Sequence, residues 1–81
     1  MANQIQPEKI DKNTFGGRLY KKIEEIYGTQ KEFAKVAGIC RPALLLYIKN
    51  ERHPNTLVLA EICKALNVSA DYLLFGEEKI K

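Results

Sequence analysis

Phe15, Leu19, Ile23 and Ile26 recur at intervals of four, four and three residues, the spacing that gathers side chains on one face of an α-helix. Thr14 precedes the stripe as a natural N-cap. Arg18, Lys21, Lys22, Glu24 and Glu25 fall on the opposite face, expected to be wet, and Gly28 ends the pattern. Thr29 then caps a second, short helix running through Val36, with Phe33, Val36 and Ala37 facing inward and Ala34 small enough for another helix to lie close. Gly38 supplies the positive φ that a sharp helix–helix corner needs.

A third helix is predicted over about residues 41–48. Pro42 sits in its first turn, where no backbone donor is missed, and Asn50 is a left-handed stop. At about 100° per residue, Leu44, Tyr47 and Ile48 share the core face, whereas Pro42, Leu45, Leu46 and Lys49 share the opposite one. After a His53-Pro54 loop, Asn55 or Thr56 caps a fourth helix carrying Leu59, Ile62, Cys63 and Leu66 inward and ended by Asn67. Ser69 caps a fifth, over residues 70–75, closed by Gly76. The expected fold is all-α, five short helices including a helix-turn-helix unit. The expected organisation is a mobile arm over residues 1–13, a domain over 14–76 and a frayed tail over 77–81.

At 81 residues, 46% apolar and 28% charged, the chain fits one small globular domain. Its net charge of +3 is only mildly basic. Cys40, Cys63 and His53 are too few and too scattered for a structural zinc site, and two free thiols suit a reducing compartment. No activated nucleophile or acid–base constellation is present, so neither catalysis nor a cofactor is expected. There is no apolar run of membrane-spanning length and no apolar block in MANQIQPEKI, so a cytoplasmic location is expected.

Three stretches now stand in order: FGGRL, TQKEFAKVAGI and PNTLVLAEICKALNVSADYLLFG. Together they resemble the Cro/phage-repressor type helix-turn-helix domains across residues 15–76. The resemblance implies a lambda-repressor-like five-helix fold and a sequence-specific DNA-binding transcriptional regulator. It further implies a repressor, acting as a homodimer on a palindromic operator with its third helix in the major groove. Carried over position by position, Arg41, Pro42, Leu45 and Leu46 are the base contacts. Gln30, Lys49, Asn50 and Arg52 are the phosphate contacts, and Leu73, Leu74 and Phe75 belong to the dimer surface.

Two departures from the family pattern stand out. Where the family carries an arginine late in the first helix and a glutamate late in the third, joined as a buried ion pair, this chain has Ile23 and Ile48. A lone buried charge would cost roughly 3–5 kcal/mol, but an apolar pair can match the bridge it replaces, so the first and third helices should still meet there. The other departure is on the reading helix, where leucines replace hydrogen-bonding residues. Leucine can touch only a thymine methyl or exclude a wrong partner, which leaves Arg41 as the strong direct reader, bidentate to guanine. Cys40 stands where the family often has a capping hydroxyl and should cap poorly.

Between Thr29 and Asn55, Lys31, Lys35, Arg41, Lys49 and Arg52 face only Glu32 and Glu51, so the chain's whole +3 excess lies in the segment that would meet DNA. Gln30, Arg41, Lys49 and Arg52 also admit a plainer reading as solvated surface residues. Leu45 and Leu46 admit two functional ones: thymine contacts, or an outward apolar patch that binds a protein partner.

Overall fold

The computed structural model describes residues 10–76, and every regular element among them is a helix. In chain order these are α1 (Phe15–Ile26), α2 (Gln30–Ala37), α3 (Arg41–Ile48), α4 (Thr56–Leu66) and α5 (Ala70–Phe75), as the periodicity predicts. The expected tail and residues 1–9 of the expected arm lie outside the described residues. Residues 10–13 of the expected arm are described, and among them Ile10 and Asp11 touch the domain. Ile10 packs against the core, and the Asp11 carbonyl accepts from both the backbone N–H and the hydroxyl of Thr14, at 3.0 and 2.7 Å.

Local chemistry sets the helix boundaries. Thr14, Thr29, Asn55 and Ser69 each accept a hydrogen bond from a backbone N–H in the first turn that follows, at 2.9–3.2 Å, satisfying donors that helix geometry leaves orphaned. Cys40, heading α3, makes no such bond, in keeping with sulfur as a weak acceptor. At the corner between α2 and α3, Gly38 has φ of 73°. Asn50 and Asn67 are the non-glycine residues with positive φ among those described, at 64° and 56°.

α1 is the central element, packed against each of the other four helices. Leu19 and Ile23 from it meet Phe33, Leu44, Ile48, Ile62, Leu66 and Leu73 in a core from which water is excluded. Ile23 and Ile48 thus both lie in this core, as the missing ion pair predicts. The first turn of α1 approaches the last turn of α3 so closely that a Cβ on Gly16 would overlap the Ile48 carbonyl oxygen. The Gly16 N–H donates to Asn50 Oδ1 at 2.8 Å, and Asn50 Nδ2 donates to Thr14 Oγ1 at 3.1 Å. Together these contacts fasten the end of α3 to the start of α1.

Several side chains lie elsewhere than periodicity places them. Arg18, expected on the wet face, is 9% exposed. Its Nε and Nη2 donate to the Leu73 and Leu74 carbonyls at 3.0 Å each, and Nη1 donates to the Lys12 carbonyl at 3.3 Å. The reason is tertiary: α5 ends beside α1, and its last carbonyls need donors. Ile26 and Val36, expected inside, are exposed, and Leu59 and Cys63 are only half-buried. Leu59 and Cys63 still pack against the core from its edge, and Val36 borders an open concavity with Glu61, Lys64 and Ala65 of α4. Burial pushes the Cys63 thiol up from its ordinary value, and both cysteines are free.

Two substitutions test this packing through urea unfolding midpoints. Gly16→Ala is expected to cost about 2 kcal/mol or more, because overpacking typically costs about 1–3 kcal/mol and the obstructing atoms here are backbone. Arg18→Met, which strips three carbonyls of their donor, is expected to cost about 2–3 kcal/mol.

Candidate nucleic-acid interface

The corner at Gly38 turns the chain so that α3 follows α2 directly, with α1 packed against both. Pro42, in the first turn of α3, pre-sets the helical φ. The outward side of α3 then carries Arg41, Pro42 and Lys49, all exposed. These three, with Leu45 and Leu46, line an open concavity of ≈ 460 Å³.

The two leucines differ. Leu46 is half-buried, whereas Leu45 is 7% exposed. Placing Leu45 on the outward face is therefore corrected: it is the floor of the concavity, yet it lies outside the main core cluster. α3 is wedged against both α1 and α2, which widens its buried arc beyond one stripe. Arg41 and Lys49 stand one turn before and one turn after Leu45, where long aliphatic stems can cover apolar surface while the charged heads stay in water. An outward pair of leucines is thus not formed: Leu46 is half-buried and Leu45 is recessed. The large apolar side chains that are exposed (Ile26, Val36, Leu57, Leu74 and Phe75) all lie on other helices.

Gln30 opens α2 and is half-buried. Its carboxamide makes no hydrogen bond among the described residues, and its Oε1 is buried without a partner. Such an atom costs roughly 1–3 kcal/mol when neither protein nor water satisfies it. Asn50 differs: both ends of its amide are engaged by α1, at Gly16 and Thr14. Its expected phosphate contact must be set against that structural employment. Arg52 is exposed in the turn after α3, where its N–H and that of Glu51 donate to the Leu46 carbonyl at 3.3 and 2.9 Å. His53 sits edge-on to Phe15, ring centroids 6.4 Å apart, closing the loop over the start of α1.

Charge completes the picture. The ion pairs among the described residues are Lys22–Glu25 and Lys64–Glu61. Neither involves Lys31, Lys35, Arg41, Lys49 or Arg52, all exposed, so these cations around α2 and α3 are uncommitted. At α5, Leu73 is fully buried in the core, which removes it from any dimer surface. It faces α1 and α4, while Leu74 and Phe75, at 45% and 69% exposed, face out. Phase along the helix separates them. Among the described residues there is no cluster of metal-ligating side chains and no helix long and apolar enough to cross a membrane.

Comparison with known proteins agrees with this architecture. A protein of Bacillus subtilis (strain 168) bearing the name "Uncharacterized HTH-type transcriptional regulator YqaE" is 43% identical over 53 residues, 65% of this chain. The matched stretch spans 46% of that relative, about half its length. No solved structure matches. The profile of the helix-turn-helix family matches residues 19–73, more than half of the chain and covering part or all of every helix described. The chain belongs to the helix-turn-helix family.

Proposed function

We propose that this protein is a sequence-specific DNA-binding transcriptional regulator that inserts α3 into the major groove of double-stranded DNA. The observation that carries the reading is the set of five exposed cations on α2, α3 and the following turn, none paired with a carboxylate among the described residues. Uncommitted cations beside a helix end are what a polyanion's backbone requires. Gln30 supports it further: it opens α2, where the helix dipole favours a phosphate, and its Nε2 amide is a donor that a phosphate oxygen can accept. Lys49 and Arg52 flank the far end of α3 as further phosphate contacts. Asn50 contributes by holding α3 in place. Arg41, exposed in the first turn of α3, is the direct reader, matched to guanine O6 and N7.

A single domain of this size makes few base contacts, and a two-fold dimer on a palindromic operator doubles them. Leu74 and Phe75, exposed at the tip of α5, are the apolar surface that supports such a dimer. Repression is the mode in keeping with these parts, since occupying an operator excludes other proteins without further contacts.

The affinity for random duplex DNA, measured against salt, tests the reading. It is expected to fall steeply, with log K changing by roughly 3–4 per tenfold salt for each protomer if Lys31, Lys35, Lys49 and Arg52 meet phosphates. Absence of duplex binding at low salt would overturn it. Arg41→Ala should cost about 1–3 kcal/mol on a selected site and relax the preference for one guanine per half-site. Phe75→Glu should shift sedimentation from dimer to monomer and weaken binding to a palindrome more than to an isolated half-site.

A further inference from the structure

The concavity on α3 has two chemically distinct parts. Its ends are cationic, Arg41 and Lys49; its floor and walls are Leu45, Pro42 and Leu46. Neither leucine side chain can donate or accept a hydrogen bond, and proline has no N–H to offer. Of everything a base pair displays in the major groove, the one feature such a surface complements is the methyl group on C5 of a pyrimidine. Leu45 is recessed and Leu46 only half-buried, so the surface is a seat that receives a protruding methyl. It is not a knob that would press on any base alike. The uncommitted cations at both ends select a polyanion as the occupant over an apolar peptide.

We propose that this concavity reads pyrimidine 5-methyl groups, so that the protein senses thymine, and equally 5-methylcytosine, close to the guanine held by Arg41. Arg41 and Leu45 are one helical turn apart, with Cβ atoms about 5–6 Å from each other. Base pairs follow at about 3.4 Å, which sets the methyl one or two steps from that guanine. A cytosine at this position presents an unmethylated edge and an amino donor that the leucines leave unpaired; methylation restores the contact. The inference rests on the DNA-binding reading and adds the chemical group that is recognised.

The test uses the full chain and a duplex selected from random sequence. Each thymine near the preferred guanine is replaced singly by deoxyuridine, which removes only the methyl. One position is expected to lose about fourfold in affinity per half-site, the value of one buried methyl. Placing cytosine there should weaken binding, and 5-methylcytosine should recover part of the loss. In Leu46→Ala, where the side chain is half-buried and truncation leaves the core intact, the thymine-to-deoxyuridine ratio should fall towards one. Sequence-selective binding that is indifferent to every deoxyuridine overturns this inference and leaves the DNA-binding reading standing. So does a ratio that Leu46→Ala leaves unchanged. Failure to bind any duplex at low salt overturns both.

Discussion

The position of α3 depends on one close approach, the first turn of α1 against the last turn of α3. Gly16 makes it possible by having no side chain, since a Cβ there would occupy the space of the Ile48 carbonyl. Asn50 makes it specific. It stops α3 by adopting a left-handed backbone, and the same residue turns its amide back to accept from Gly16 and donate to Thr14. Backbone conformation and side-chain bonding thus act together at one residue. The helix that carries Arg41 and the leucine-lined concavity is held at its far end, and its outward side is left clear.

Arg18 performs a comparable service at the other side of α1. A buried guanidinium would be costly if unpaired, but three carbonyls receive its hydrogens. Two of them close the end of α5, and the third ties down the segment before α1. α5 is only six residues long, too short to hold its shape in water unaided. Its stability is therefore borrowed from Arg18 and from Leu73 in the core, which leaves Leu74 and Phe75 outward on a fixed support.

Helix boundaries were readable in the sequence because their causes are local. Thr14, Thr29, Asn55 and Ser69 bond to amides within the turn they precede, and Gly38 and Asn50 stop or turn the chain by their own conformational preferences. Burial was less readable where distant parts decide it. Arg18 looks solvated by periodicity, but its partners Leu73 and Leu74 lie 55 and 56 residues away. Leu45 looks outward on a helical wheel, but α1 and α2 together shelter a broader arc of α3 than one stripe. Ile26 and Val36 err the other way, being apolar yet exposed. For the interface, the clustering of positive charge was visible in the order of residues along the chain. The engagement of Asn50 and the buried, unpartnered oxygen of Gln30 required three-dimensional geometry.

Ile23 and Ile48 both lie in the core as hydrocarbon, at the positions where the resemblance implied opposite charges. A joint made this way has no field for dissolved ions to shield and no proton to gain or lose. Ionic strength acts on the exposed lysines and arginines but has no purchase on the seam between α1 and α3. Grip on a charged ligand and integrity of the scaffold consequently answer to separate variables, so that one can be tuned by the medium while the other stays put.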